Sequence, residues 1–398
     1  MCSHTERKKR KNKLPAWLSH NLFNPSLSSF SHMVDYDIQI KELEEELATK
    51  KYNKHTAYAL GLAKAKISKL KEKIVARSSK GSSGEGFAVR KTGDGTVILL
   101  GFPSVGKSTL LNSLTNANSE VAAYAFTTVT VIPGLMEHKH AKIQILDVPG
   151  IVTGAASGRG RGKEVLACIR SADLVLIILD AASAVEQYPA ILREVYDTNI
   201  RLNARKPDVT LKKTAKNGLR VGTTIKLTKL NKETIEGIMR EFRINNADVV
   251  VREDITDDQL IDVIEDNKQY LPAIVVINKS DLATPEELER VRKIIKPDLC
   301  ISAQKRDHTM ELKELIFQRL NLIRIYLKEP GKEADLEVPM INFKDSTIRA
   351  VCLKLHKDFV QKFKFARVWG ASSRFPGQKF LNLNHVLKDQ DILELHMK

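Results

Sequence analysis

Residues 96–114 read TVILLGFPSVGKSTLLNSL, and this stretch decides the fold. Thr96–Leu100 is β-branched and aliphatic, as a buried parallel strand requires, and Thr109–Leu114 reads as the start of a helix. Between them Gly101–Ser108 has the form GxxxxGK[ST], which in a strand–loop–helix context is the phosphate-binding P-loop. Gly101 and Gly106 let the backbone curl, so that the amides of Phe102, Pro103's neighbours Ser104 and Val105, and the loop as a whole can face a polyphosphate. Lys107 can reach the β- and γ-phosphates, Ser108 can ligate Mg²⁺, and Thr109 follows at a helix N-terminus that favours negative charge. A Gly-rich turn without a ligand is the bland alternative, and spacing and context together weigh against it.

Four further motifs follow in order at predicted strand ends. Ala123–Thr128 (AYAFTT) is loop-like, and its Thr128 or Thr127 can place a hydroxyl on Mg²⁺; Thr128 is the preferred choice. Lys142–Gly150 is a strand ending in DxxG, about 40 residues beyond the P-loop. There Asp147 can hold a water on Mg²⁺ and Gly150 can donate its N–H to the γ-phosphate. Ile151–Gly162 is Gly-rich, as a loop sensing the γ-phosphate would be. Pro272–Asp281 is a strand ending in NKxD. The Asp281 carboxylate matches the N1–H and 2-amino donors of guanine, Asn278 can meet the O6/N7 edge, and Lys279 can lay its stem along the base. Adenine has no such donor pair, so GTP is expected rather than ATP. Leu299–Ala303 is a short strand ending in Ser302-Ala303, whose backbone can contact guanine O6.

The rest of the chain is read around this core. Residues 1–32 are basic, then rich in Ser, Pro and Asn, and are expected to be a disordered leader, with Met33 as an alternative start. Asp35–Thr49 and Thr56–Ala76 each repeat apolar residues at helical spacing, which predicts a helical hairpin in a segment 33–86 that ends in a Ser/Gly-rich linker. The lysines of its second helix fit either a solvated face or a phosphate-backbone contact. Roughly 90 residues separate Asp180 from Ile274, where one crossover helix needs about 30. A subdomain of α/β type is therefore expected at about 183–268, inside a nucleotide domain spanning 87–330. Val221–Leu227 and Ala247–Val251 read as strands there, with helices at Glu233–Phe242 and Asp257–Asp266. A last helix is expected at about Met310–Tyr326. Residues 331–398 then alternate strand, helix (Thr347–Lys362) and strands, which suggests a small basic β-grasp module. Trp369 and Phe375 are rings able to stack on bases, although Trp369 reads first as core.

Composition narrows the partners. The 398 residues carry 64 Lys and Arg against 48 Asp and Glu, a formal net charge of +16 that favours an anionic partner such as RNA or the ribosome. The four cysteines are isolated, which supports neither a disulfide framework nor a zinc site and fits a cytoplasmic protein. No apolar run has the length of a membrane span.

With these residues in place, the chain resembles the developmentally regulated GTP-binding protein (DRG) family of Obg-like GTPases, in the TRAFAC class. The resemblance runs from about Met33 to Lys398. It rests on GFPSVGKSTLLN at 101–112, AYAFTTVTVIPG at 123–134, AKIQILDVPGI at 141–151, GRGRGKEVLA at 158–167, NADVVVREDIT at 247–256, NKSD at 278–281 and FKFARVWGASS at 363–373. It implies a helical hairpin, a P-loop GTPase domain with an inserted S5-like subdomain, and a C-terminal TGS domain. It also implies binding of GTP and GDP with Mg²⁺, association with ribosomes or RNA in translation, and, for eukaryotic members, a stabilising regulatory protein. The protein is expected to be a cytoplasmic monomer. Lys107, Thr128 and Gly150 are the residues expected to carry turnover.

Where Ras-like enzymes place a water-orienting Gln after DxxG, this chain has Ile151. Slow intrinsic hydrolysis is therefore expected, with potassium (K⁺) or a partner as accelerator. Relatives that use potassium often carry Asn at the P-loop position held here by Ser104. A nucleotide-stabilised RNA- or protein-binding module without important turnover is the alternative function.

Overall fold

The computed structural model describes residues 25–50, 56–79, 92–115, 132–147 and 169–398. The expectations for Thr127, Thr128, Gly150, Ile151 and GRGRGKEVLA fall outside the described residues, as do those for most of the leader and linker. The chain forms two compact units that alternate along the sequence. One joins the residues up to Ser82 to Pro207–Asp266, and the other joins Ser83–Lys206 to Asn267–Lys398.

The second unit is built on a six-stranded sheet ordered β11-β10-β4-β1-β3-β2. Its strands are β1 (Gly95–Leu100), β2 (Ile132–His138), β3 (Ala141–Asp147), β4 (Leu174–Asp180), β10 (Ala273–Asn278) and β11 (Leu299–Cys300). All pairings are parallel except that of the edge strand β2 with β3. A parallel sheet buries both faces, which is why Thr96–Leu100 is apolar without alternation. Ile98 and Leu100 point into a layer closed by α4 (Ala184–Asp197) and α7 (Pro285–Ile295). Val97 and Leu99 point into the opposite layer, closed by α3 (Lys107–Leu114) and α8 (Thr309–Arg319). Helices on both sides leave the carboxyl ends of the strands as the open rim where a doubly wound sheet binds its ligand.

A second sheet in the same unit, ordered β13-β12-β16-β14-β15, forms the C-terminal module. It comprises β12 (Leu322–Lys328), β13 (Met340–Phe343), β14 (Phe363–Trp369), β15 (Gln378–Phe380) and β16 (Asp391–Met397). Its buried side packs on α9 (Ile348–Leu355) through Ile348, Val351 and Cys352.

The first unit pairs the hairpin with the inserted segment. Helix α1 spans Pro25–Thr49 and α2 spans Ala57–Ser79. The insert contributes β6 (Val209–Lys213), β7 (Leu219–Thr223) and β8 (Ala247–Val251), with α5 (Lys232–Glu241) and α6 (Asp257–Glu265). Its sheet is ordered β6-β8-β7. Lys64 on α2 donates to Asp257 Oδ1 at 3.1 Å and Asp258 Oδ2 at 2.7 Å, and Lys69 donates to the Glu241 carbonyl at 2.6 Å. These two lysines are therefore structural ion-pair partners, a third answer beside solvated face and phosphate contact.

Several local expectations are corrected. Helix α1 begins at Pro25, inside the segment read as disordered; proline at a first helical position loses no hydrogen bond and has φ pre-set. The helix expected over Met310–Tyr326 stops at Arg319. Asn321 takes a left-handed φ of +52°, and Leu322–Lys328 continues as β12 because its apolar residues alternate with period two. The C-terminal sheet thus starts ahead of residue 331. Thr347–Lys362 is two helices, α9 and α10 (Lys357–Gln361), broken where His356 is extended and its Nδ1 accepts from Asp358 N at 3.3 Å. The strand expected at Val221–Leu227 ends at Thr223. Residues 183–206 stay with the nucleotide sheet, since Ile191 and Val195 of α4 lie in its core, so the separate insert is Pro207–Asp266. Two short parallel strands, β5 (Ile200–Leu202) and β9 (Gln269–Leu271), mark where the chain leaves and returns. Trp369 is half-buried on the outer face of its sheet rather than in the core.

Candidate nucleotide site

The site is assembled at the carboxyl ends of β1, β3, β4, β10 and β11. The loop after β1 takes two left-handed residues, Ser104 at φ +64° and Gly106 at +91°. A side chain at Gly106 would bring its Cβ to 2.4 Å from Asn278 Nδ2, and one at Gly101 would come to 2.5 Å from the Ile178 carbonyl. Both glycines are thus required by close approach. At the other end of the loop, α3 opens on Gly106 with no side-chain cap, so its first amides are left for a ligand.

Lys107 folds back over the loop, and its Nζ donates to the carbonyls of Gly101 at 3.0 Å and Phe102 at 2.9 Å. Burial holds the Lys107 ammonium below the usual lysine range, against the opposing pull of Asp147. Ser108 Oγ donates to Asp147 Oδ2 at 3.0 Å. Asp147 is buried, and its Oδ1 has no hydrogen-bond partner among the described residues. A buried carboxylate oxygen without a donor is costly unless a cation or water meets it. That orphan oxygen beside a serine hydroxyl is a donor set suited to a hard divalent cation.

The base-side loops are tied together through Asn278. Its Nδ2 donates to the Val105 carbonyl at 2.8 Å, and its Oδ1 accepts from Ala303 N at 3.0 Å. Asn278 is buried, and each of its two polar groups makes one bond that joins the P-loop to the Ser302-Ala303 loop. The amide keeps a second N–H and a second lone pair, so the bracing role stands beside the expected contact with a guanine edge. Lys279, at φ +60°, donates to Asp180 Oδ2 at 2.7 Å. Sequence reasoning misses Asp180 as a site residue; its position at the end of β4 is the available signal. Asp281 lies near Lys305 at 3.5 Å, and a hydrogen bond from Ser302 holds its carboxyl below the usual carboxylate range. Pro103 and Thr109 lie on the loop and first turn of α3 with the rest.

Comparison with known proteins bears on the same segments. A family model described as a 50S ribosome-binding GTPase matches residues 96–213, its C-terminal region matches 216–322, and a TGS domain model matches 323–397. An uncharacterized GTP-binding protein of Methanocaldococcus jannaschii is 48% identical over 90% of this chain and 92% of its own. Developmentally-regulated G-protein 3 of Arabidopsis thaliana is 42% identical over 90% of this chain and 98% of its own. Developmentally-regulated GTP-binding protein 1 of Xenopus laevis shows the same three values.

The chain belongs to the DRG family. It is a GTP-binding protein with a P-loop GTPase domain and a C-terminal TGS domain. In this DRG protein the TGS match begins at residue 323, within β12, in agreement with the sheet that β12 joins. No described helix of the DRG chain is long and apolar enough to cross a membrane.

Proposed function

We propose that this DRG protein hydrolyses GTP to GDP slowly and uses the two states to control association with ribosomes or RNA in translation, as an Obg-like, TRAFAC-class GTPase of the cytoplasm. The observation that carries the reading is the bracing of Asn278 between Val105 and Ala303, which holds the phosphate loop and the base loop as one cradle. In that cradle Asp281 accepts the N1–H and 2-amino hydrogens of guanine, and Lys279, anchored on Asp180, lays its stem along the ring. The backbone N–H groups of the loop 101–106, Pro103 excepted, and the Lys107 ammonium hold the phosphates. Ser108, Asp147 and Thr128 would hold Mg²⁺, which neutralises charge on the β- and γ-phosphates when bound. Lys107 and the Gly150 amide stabilise charge that develops in the transition state.

Ile151 offers no hydrogen bond to a water, which is the reason for slow turnover. Potassium or a bound partner, including a regulatory protein of the DRG type, supplies the missing acceleration. The +16 charge of the chain supports an RNA-rich partner.

The test is GTP turnover with and without purified ribosomes, in KCl and in NaCl, with co-sedimentation scored in GDP and in a non-hydrolysable GTP analogue. GTP-selective co-sedimentation with stimulated turnover supports the reading. Binding indifferent to nucleotide, with unchanged turnover, favours a module whose nucleotide is structural. Equal rates in the two salts remove the potassium step.

A further inference from the structure

The inserted segment has an open strand edge with a groove against it. Strand β7 ends the order β6-β8-β7, and among the described residues nothing pairs with its other side. It runs parallel to β8, with Leu219 opposite Ala247 and Thr223 opposite Val251. In a parallel ladder alternate residues bond the neighbouring strand. The Gly218 carbonyl accepts from Ala247 N and Thr224 N donates to the Val251 carbonyl, each at 3.1 Å, so residues 218, 220, 222 and 224 turn to β8. Leu219, Val221 and Thr223 therefore turn their N–H and C=O groups to the open side.

A groove of about 680 Å³ lies against this edge, lined by Val221 and Thr223, by residues 225–232 and by Ala57 of α2. In it Leu230 is buried, Val221 and Leu227 are half-buried, and Ile225 is exposed. The segment 225–232 is held by side-chain bonds. Asp254 Oδ1 accepts from Thr228 N at 2.9 Å and Lys229 N at 3.2 Å, and Asn231 Oδ1 accepts from Thr234 N at 2.7 Å at the start of α5. A groove fixed in this way loses little freedom on being filled.

Charge selects the occupant. Residues 209–232 contain seven Lys and Arg and no Asp or Glu. Arg220 is paired with Asp248 at 2.7 Å, and Lys229 Nζ donates to the Asp254 carbonyl at 3.2 Å. Lys226 and Lys232 are exposed at the groove and, among the described residues, have no carboxylate partner. Lysines beside an open edge repel a second copy of the same edge and discourage pairing with a neutral strand. They favour an acidic one. A nucleic acid would also satisfy the lysines, but it offers neither a ladder of N–H and C=O groups for Val221 nor aliphatic side chains for Leu227 and Leu230.

We propose that β7 receives an extended acidic segment of a partner protein as a fourth strand of this three-stranded sheet. The segment exchanges backbone hydrogen bonds with Leu219, Val221 and Thr223, seats apolar side chains in the groove and sets carboxylates against Lys226 and Lys232. Strand addition of this kind draws affinity from the backbone and specificity from pockets for alternate side chains. It does not rest on the nucleotide reading, because no residue of the groove belongs to the nucleotide sheet.

The experiment titrates the full chain into a fluorescein-labelled heptapeptide, EVDVEVD, and follows anisotropy. Saturable binding is expected, weakened about tenfold or more when every peptide amide is N-methylated, as loss of several hydrogen bonds requires. Methylation keeps the peptide's charge and side chains, so it separates strand pairing from simple attraction, and it needs no variant of the protein. Val221→Pro removes an outward N–H without touching the ladder to β8, a change that edge strands accept. It is expected to weaken binding about fivefold, the worth of one hydrogen bond. Lys226→Glu combined with Lys232→Glu is expected to weaken binding about tenfold through like charge. Melting temperatures near that of the parent show that the variants fold. Absence of binding, equal affinity for the methylated and unmethylated peptides, or unchanged affinity in both variants overturns the proposal. If the peptide fails while a uridine decamer binds the parent and not the charge variant, the surface belongs to RNA and the proposal falls.

Discussion

Ser108 Oγ and Asp147 Oδ2 lie 3.0 Å apart, which joins the end of the P-loop to the end of β3 and leaves the second oxygen of Asp147 buried without a donor among the described residues. In the proposed function this pair would tie metal affinity to nucleotide affinity. Asp147→Asn replaces an acceptor oxygen with an amide and removes the charge. GTP affinity measured across a magnesium titration should fall about tenfold or more at saturating nucleotide-competent metal, in line with the loss of a charged hydrogen-bonding group. An unchanged magnesium dependence would show that Asp147 does not serve the metal.

Gly106→Ala tests the cradle itself. The residue sits at φ +91°, and its new Cβ would lie 2.4 Å from Asn278 Nδ2. The backbone term alone costs about 1–2 kcal/mol, and relieving the clash breaks the Asn278–Val105 bond. Calorimetric melting should show a loss of at least about 2 kcal/mol, together with loss of GTP binding.

Asp281→Asn should exchange the preferred base. An amide presents one donor and one acceptor where the carboxylate presents only acceptors, and xanthine has the matching carbonyl at its 2-position. Competition binding should show guanine nucleotides losing at least tenfold to xanthine nucleotides, about 1.4 kcal/mol. Retained guanine preference would place base recognition elsewhere.

Lys64→Met tests the hairpin–insert unit. Burial of Lys64 opposes its charge, but the hydrogen bonds and charges of Asp258 and Asp257 outweigh it and raise the lysine pKa. That stability is present below the ordinary lysine pKa and is lost as pH rises through the raised one. At neutral pH the variant leaves Asp257 buried with one cation fewer, so hydrogen exchange in α2 and α6 should accelerate by a factor corresponding to about 1 kcal/mol.

Glu314 provides an acid-side test. Hydrogen bonds from Lys139, His138 and Gln318 hold its carboxyl down to about 2. A depressed carboxyl contributes stability above its unfolded pKa and loses it as pH falls through the folded one. Glu314→Gln should therefore lower the melting temperature at pH 6, by an amount corresponding to about 1 kcal/mol after allowance for solvent screening. The gap should close as pH drops below about 4.5. A gap that stays constant with pH would assign the effect to packing.

The strands of the nucleotide sheet were legible because a parallel sheet demands apolar runs, and the motifs end those runs at fixed places. Asp391–Met397 and Ala247–Val251 were legible by the same local patterning. What escaped was long-range. Asn278 meets Val105 across 173 residues, and no local pattern announces that its amide braces two loops. Lys64 and Lys69 find their carboxylate partners more than 170 residues away, so a basic helix face could not be told from an RNA contact. The helix read through Tyr326 failed where a 3.6-residue pattern and a two-residue pattern overlap, and the left-handed Asn321 decided between them. Trp369 was misplaced because alternation in β14 tells which residues share a face, not which face is covered.

The two units alternate along the chain, so neither is complete when its first half leaves the ribosome during synthesis. Strand β10, which stands between β4 and β11, emerges only after the whole insert. Helix α2 must wait for α5 and α6 to acquire its buried partners. A nascent chain of this protein therefore carries two half-built cores at once, each exposing apolar surface until the segment beyond it arrives.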